Sequence, residues 1–336
     1  MFLCFGHKIS NVKNFEKMRI FICSSIKGLK KAIETRFATW KISTEITELD
    51  VETLNSNPIN DKDAFLVADN PYMTGVLQNP QYDFGFIQGT WAGIDSLKNG
   101  VDMTKDFKIP LCRFAHDSFS QLIAEYSVAQ VINWERQFFK MNQWQTQKFW
   151  PTEHQMPRCL NQLTIGILGY GNMGKAVTSA FKAFGCTVLI VRRSRTNEVN
   201  VHDMSELPMV LAKCDYLVNV LPKTDKTTDC LSHDVLKSAS LKSPVLVNVG
   251  RANVISDESL LKALKEKWIS GAILDVFHQE PLPQNHEFWT HPQVLITPHI
   301  SALSRPEDIA DCFAQNLENW QAKIPLKNVV NWKEFY

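Results

Sequence analysis

Short, continuously apolar runs recur along the second half of the chain: Leu163 to Leu168, Cys186 to Val191, Tyr216 to Val220, Val245 to Val249, Ala272 to Val276 and Val294 to Thr297. Stretches of helix length and mixed polarity separate them. Strands that are apolar throughout, rather than alternating, are buried on both faces, and helix-length crossovers join parallel neighbours. The pattern predicts an α/β domain built on a doubly wound parallel sheet. In the strand order 3-2-1-4-5-6, strands four, five and six lie side by side, and ligands bind beyond the carboxyl ends of the strands.

A smaller βα pattern comes first: Arg19 to Cys23, a helix near Lys27 to Phe37, Ala64 to Ala68 and Phe84 to Gln88. It predicts a second open-sheet domain. Ser118-Phe-Ser-Gln121 has capping-box form and opens a helix from Leu122 to Phe139 that is apolar on more than one face, as expected for burial between domains or subunits. A second capping box, Ser304-Arg-Pro-Glu307, precedes Ile309, Phe313, Leu317 and Trp320 on one helical stripe. That helix is expected to carry the chain back to the first domain. The predicted division is residues 1–115, completed by 305–336, for the smaller domain and 116–304 for the larger. A length of 336 residues fits two cores better than one.

Composition narrows the function classes. With 36 basic against 35 acidic side chains the net charge is +1, which lacks the clustered positive charge of a nucleic-acid or polybasic membrane partner. The apolar start, Met-Phe-Leu-Cys-Phe-Gly, is too short for a signal-peptide core, and no run reaches the length of a membrane span. A cytoplasmic protein is expected. The eight cysteines are scattered with no Cys-x-x-Cys pair, which predicts buried free thiols and no metal site.

Candidate chemistry sits at the strand ends. Gly169-Tyr-Gly171-Asn172-Met173-Gly174 leaves the strand Leu163 to Leu168 and enters a helix. The first glycine permits the tight turn, the second lets backbone approach a pyrophosphate, and the third lets helix pack on strand. Gly169 to Lys175 also fits the opening of a nucleoside-triphosphate loop, but that motif needs a Ser or Thr hydroxyl where this chain has Ala176. A dinucleotide site is the reading that stands. Where such a site usually offers an acid to the ribose, the chain reads Arg192-Arg193-Ser194-Arg195. Guanidinium forks suit a 2′-phosphate, so NADP(H) is the preferred coenzyme and NAD(H) a possible one. Farther on, Arg251, Glu280 and His299 follow the fourth, fifth and sixth runs, and adjacent strands bring all three to one crevice.

These segments resemble the D-isomer-specific 2-hydroxyacid dehydrogenases, in particular the glyoxylate/hydroxypyruvate reductase branch. The likeness runs from about Ala64 to the C-terminal helix. It is carried by Thr90-Trp-Ala92-Gly93-Ile-Asp95, Gly166 to Gly174, Leu221-Pro222, Asn248-Val249-Gly250-Arg251, Leu274 to Pro281 and Thr297 to Ser301. The resemblance implies a Rossmann domain with a flavodoxin-like smaller domain, a cleft between them, a homodimer, and a small 2-oxo or 2-hydroxy acid as substrate. It implies Arg251, Glu280 and His299 as catalytic residues. Arg251 and His299 also touch substrate, with the backbone of Ala92 and Gly93. Leu221, Pro222, Val249, Gly250 and Asp275 join the glycine turn around the coenzyme.

Physical chemistry supplies the reasons. Hydride arriving at a carbonyl carbon builds charge on the oxygen, so a proton must arrive there. An imidazole can hold and release one near neutral pH, which suits His299. Glu280 would orient that ring and favour its protonated form. Arg251 can clamp the substrate carboxylate and polarise the carbonyl. One departure is Ala252, where the family commonly has glycine; alanine tolerates positive φ poorly, which puts the local backbone in question. The alternative class is a dinucleotide-sensing, corepressor-like interaction protein of the same fold, since fold does not fix function.

Overall fold

A computed structural model describes residues 18–38, 40, 43–97, 100–102, 107–153, 156–194 and 196–332. The chain divides into two compact units, one running to His116 and resuming at Ser304, the other Asp117–Leu303. Among the described residues no helix is long and apolar enough to cross a membrane.

The first unit holds a parallel sheet of β1 (Met18–Cys23), β2 (Thr44–Glu48), β3 (Ala64–Ala68), β4 (Ile87–Gly89) and β5 (Leu111–Cys112), ordered β2-β1-β3-β4-β5. This is the flavodoxin order. The central strand β3 is buried at every position. The sequence pattern passes over β2, because Thr-Glu-Ile-Thr-Glu is an edge strand with no apolar run, and over β5, which has two residues. Phe84 pairs outside this sheet, in the short ladder of Asn60–Asp61 with Asp83–Phe84. The helix Pro306–Ala322 packs along Leu29–Ala38, with Phe313 edge-on to Phe37 and Phe65. Its expected cap at Ser304 is not formed. Arg305 is the N-cap residue and makes no side-chain cap bond; its guanidinium pairs with Asp308 instead, and Pro306 occupies the first turn.

The second unit holds β6 (Thr164–Leu168), β7 (Thr187–Arg192), β8 (Val201–Asp203), β9 (Tyr216–Asn219), β10 (Val245–Asn248), β11 (Gly271–Leu274) and β12 (Val294–Ile296). All pair in parallel, in the order β8-β7-β6-β9-β10-β11-β12. The pattern missed β8, three residues on the outer edge of which only Val201 is buried. That strand is the third of the doubly wound order, so β9, expected third, is fourth and lies directly beside β6. Strands β10, β11 and β12 remain adjacent. Side chains alternate between the two faces: Leu217, Leu246 and Ala272 pack into one core, and Tyr216, Val218, Val247 and Ile273 into the other.

The helix Asp117–Arg136 starts one residue before Ser118, which lies in its first turn and not at its cap. It packs along Asn172–Ala183, burying Ile123, Ala124, Val128 and Val131 there, so its apolar breadth serves a helix pair inside this unit. It ends at Arg136, three residues before the expected Phe139, and Gln137, with φ 54°, breaks the helical path before Phe138–Thr146 begins. Cys186 and Cys214 are buried free thiols, whereas Cys159 is exposed.

Candidate active site

Register places the site. Leu168, Asn219, Asn248, Leu274 and Ile296 stand level across five neighbouring strands, so five connections leave the sheet along one edge. The glycine turn, Leu221-Pro222, Val249-Gly250-Arg251, Asp275 and Thr297 to His299 all follow from these ends.

The glycine turn is sterically specified. Gly169 has φ +104°, and a Cβ added at Gly174 would lie 2.1 Å from the Gly169 carbonyl oxygen. Gly171 is the N-cap of the helix Asn172–Ala183, and Met173 packs on the core beneath it. The free N–H groups of such a first turn are donors for an anion. At the end of β7, the Arg192 guanidinium lies 6.0 Å from the centre of the Tyr170 ring, and Arg193 and Ser194 are exposed. Arg195 lies outside the described residues. The acid beside Arg192 in register is Asp203, and its carboxylate faces its own turn, accepting from Ser205 N–H at 2.8 Å and Ser205 Oγ at 2.6 Å.

Two asparagines shape the next connections: Asn219, which the sequence reading passed over, and Asn248, which it quoted without assigning a role. Asn219 and Asn248 end otherwise apolar strands, and their amides join at 2.8 Å. Asn219 Oδ1 accepts from Leu221 N–H, and Asn248 Nδ2 donates to the Arg251 carbonyl at 3.2 Å. Between them Gly250 has no room for a side chain: a Cβ would lie 2.9 Å from Asn219 Nδ2 and from the Leu221 carbonyl oxygen. Thr227 Oγ1 donates to the Pro222 carbonyl, and Val249 is buried. Arg251 is extended at φ −138°, and Ala252 opens a short 3-10 turn without a positive φ. The departure from glycine at 252 is therefore free of backbone strain. The visible signal for the asparagines was a polar residue closing each of two buried strands, Tyr-Leu-Val-Asn and Val-Leu-Val-Asn.

Glu280 and His299 meet. Glu280 Oε2 is 2.7 Å from His299 Nδ1, and Oε1 accepts from the Phe277 N–H at 2.9 Å. The Glu280 bond is the main cause that lifts the His299 imidazole above its ordinary value, against burial and the Arg251 charge. Burial would raise the Glu280 carboxyl, but the bonds from His299 and Phe277, with the charges of His299 and Arg251, hold it below the usual carboxylate range. Arg251 is thus near enough to act on both. A carboxylate only accepts, so Nδ1 carries a hydrogen and Nε2 is the nitrogen that gains and gives a proton. His299 itself has φ +54°, a region that non-glycine residues enter only in special settings.

Asp275, fully buried at the end of β11, accepts from Thr297 Oγ1 and from the N–H groups of Ile300 and Ser301. In the first unit, Ala92 and Gly93 follow β4. The Gly93 carbonyl accepts from Asn70 Nδ2 at 2.6 Å, and Thr90 Oγ1 donates to the buried Asp69.

Comparison with known proteins gives the family. The sequence profile described as D-isomer specific 2-hydroxyacid dehydrogenase, NAD binding domain, matches residues 128–301. Glyoxylate/hydroxypyruvate reductase A of Citrobacter koseri is 33% identical over 233 residues, 67% of this chain and 73% of that protein. A D-isomer specific 2-hydroxyacid dehydrogenase family protein from Aeromonas salmonicida has a crystal structure that superposes with a TM-score of 0.80 at 27% identity, covering 94% of this chain and all of that one. An NADPH-dependent glyoxylate/hydroxypyruvate reductase from Sinorhizobium meliloti, solved with NADP and sulfate, has a TM-score of 0.77 at 22% identity and covers 95% of this chain and 99% of that one. With the profile spanning more than half of its length, the chain belongs to the D-isomer-specific 2-hydroxyacid dehydrogenases, a family of NAD(P)-dependent oxidoreductases that act on 2-oxo and 2-hydroxy acids.

Proposed function

We propose that the protein reduces a small 2-oxo acid of the glyoxylate or hydroxypyruvate kind to its D-2-hydroxy acid, with NADPH preferred and NADH usable. The observation that carries this reading is the Glu280–His299 pair at 2.7 Å on the strand edge that also bears Arg251. The glycine cradle fits a dinucleotide, because a side chain at Gly174 or Gly250 would fill the space that backbone must leave open. Gly169, Gly171, Asn172, Met173, Gly174, Leu221, Pro222, Val249, Gly250 and Asp275 would hold it. When bound, the reduced nicotinamide supplies the hydride.

The chain's own groups do the rest. Arg251 binds the substrate carboxylate through its planar fork and stabilises charge growing on the carbonyl oxygen. His299 delivers the proton from Nε2 while Glu280, on Nδ1, keeps the ring oriented and charged. Backbone N–H groups of Ala92 and Gly93 are assigned to the substrate carboxylate by the family pattern. Support for NADPH comes from Arg192, Arg193 and Ser194 at the end of β7, where Oδ1 of the neighbouring Asp203 is taken up by Ser205. The Sinorhizobium meliloti relative was solved with NADP.

A homodimer is part of this reading. The helix Phe138–Thr146 buries none of its own residues, and Phe138, Met141, Phe149 and Trp150 are 44% to 89% exposed along it and just beyond. An apolar surface of that kind is expected to be covered by a second copy. Oxidation of NADPH, followed by its absorbance with glyoxylate, hydroxypyruvate and bulkier 2-oxo acids in turn, tests the activity. Turnover with the small acids is expected. Tight NADPH binding with no turnover on any acid would overturn the proposal in favour of a dinucleotide-sensing protein.

A further inference from the structure

The buried Asp275 carboxylate accepts three hydrogen bonds: Oδ1 takes Thr297 Oγ1 at 2.5 Å and the Ile300 N–H at 2.9 Å, and Oδ2 takes the Ser301 N–H at 2.9 Å. The direction of the chain behind it follows from the donors. Thr297 gives its single hydroxyl hydrogen to the carboxylate, so the Tyr126 phenol, 2.6 Å from Thr297 Oγ1, is the donor in that contact. Burial, with the Asp275 charge behind it, pushes the phenol up to about 12 against the opposing Thr297 bond, so Tyr126 keeps its proton. The bonds to Asp275 bracket His299 in sequence, and His299 N–H closes a tight turn onto the Thr297 carbonyl at 3.0 Å. This turn is the one in which His299 stands at φ +54°. A non-glycine residue stays there only where its surroundings over-determine it.

We propose that Tyr126 and Thr297 are positioning residues: the relay from Tyr126 through Thr297 to Asp275 locks the Thr297–Ser301 turn so that the His299 imidazole stays against Glu280. The inference rests on the reading of His299 as proton donor. It assigns a task to the helix Asp117–Arg136 beyond packing, since Tyr126 reaches the turn from that helix. The charged groups acting on His299 are Glu280, Arg251 and Asp275, and each keeps its side chain in every variant, although Thr297→Val takes one of three donors from Asp275. The Asp275 charge is the smallest of these influences on His299 and the Glu280 bond the largest, so loosening the turn acts on His299 chiefly through how well it is held against Glu280.

The test compares Thr297→Val, Thr297→Ser and Tyr126→Phe with the unaltered protein. Two readouts are used: kinetics with NADPH and glyoxylate across pH, and titration of the His299 ring by NMR in the protein without substrate. Removing one hydrogen bond to a charged group is worth about tenfold. Thr297→Val is expected to lower kcat by about that factor, with a smaller change in KM for NADPH through Asp275. Its ring titration, and the alkaline limb of kcat, are expected to move to lower pH as the Glu280 contact weakens. Thr297→Ser restores both, and the double variant Tyr126→Phe/Thr297→Val costs no more than Thr297→Val alone, because both changes break one chain. An unmoved ring titration in Thr297→Val, or additive losses in the double variant, would overturn the proposal. If the unaltered protein turns over no 2-oxo acid, the function fails while the NMR titration still decides the positioning claim.

Discussion

Glu280 holds His299 with one carboxylate oxygen at 2.7 Å while the Phe277 N–H fixes the other, so the acid is anchored to its own loop before it orients the ring. The pair has a definite pH signature. His299 is raised, so its contribution to stability is complete below the ordinary imidazole value and fades as pH rises through the raised one. Glu280 is lowered, so its contribution is complete above the ordinary carboxylate value and fades as pH falls through the lowered one. The stability difference between the unaltered protein and Glu280→Gln is expected to be greatest between about pH 5 and 6, from reference values for the two groups. Thermal melts across pH check this. A difference that grows toward alkaline pH would contradict it.

His299→Gln is expected to lower turnover about a hundredfold or more, as for loss of a general acid, with little change in NADPH affinity. In the unaltered protein reduction is expected to persist above the ordinary imidazole value and to fall as pH climbs through the raised one, because the acid form is the reactive one. Glu280→Gln moves that fall to lower pH. Pre-steady-state and steady-state rates across pH check the order of the two limbs.

The parallel sheet was legible because its strands carry uninterrupted apolar runs, and the candidate site could be proposed because Arg251, Glu280 and His299 follow three of those runs. Edge elements were not. Thr44–Glu48 and Val201–Asp203 face solvent on one side and so show no apolar run, and overlooking the second shifted β9 by one place in the predicted order. The two expected capping boxes matched a four-residue form that does not fall on the helix starts: Ser118 lies inside the first turn of one helix, and the other begins after Arg305, which makes no cap bond. The Asn219–Asn248 pair and the Tyr126–Thr297 contact join residues 29 and 171 positions apart, and no local pattern reports such a distance.

Gly174→Ala tests the glycine turn proposed to hold the coenzyme. The added Cβ meets a backbone carbonyl at 2.1 Å, so the first turn of the helix Asn172–Ala183 must move off β6. A cost of about 3 kcal/mol in stability is expected from overpacking, with coenzyme binding weakened in the protein that remains folded. Denaturant unfolding and fluorescence titration with NADPH measure the two effects.

Coenzyme choice is tested by Arg192→Ser together with Arg193→Ser. Loss of guanidinium donors to a phosphate is expected to raise KM for NADPH by about tenfold or more, with KM for NADH changed less than about twofold. Equal effects on both coenzymes would place the arginines outside the 2′-phosphate site.

Arg158 separates stability from chemistry. It binds Glu135 at 2.5 Å and Asp215 at 2.9 Å, two carboxylates with side chains only 8% and 6% exposed. Glu135 also accepts from the Tyr216 hydroxyl, and Asp215 from the N–H of Thr164, the first residue of β6. The cluster thus sits at the amino ends of β6 and β9, while the glycine turn and Leu221 leave from their carboxyl ends. Arg158→Ala leaves two buried charges with less compensation. Because the guanidinium is about half exposed and partly screened, the expected loss is about 2 kcal/mol, below that for breaking a fully buried pair. Lys242, 3.6 Å from Asp215, limits the loss further. The melting temperature is expected to fall while kcat and both KM values hold near those of the unaltered protein. A variant that melts normally but turns over slowly would instead tie this edge of the sheet to the reaction.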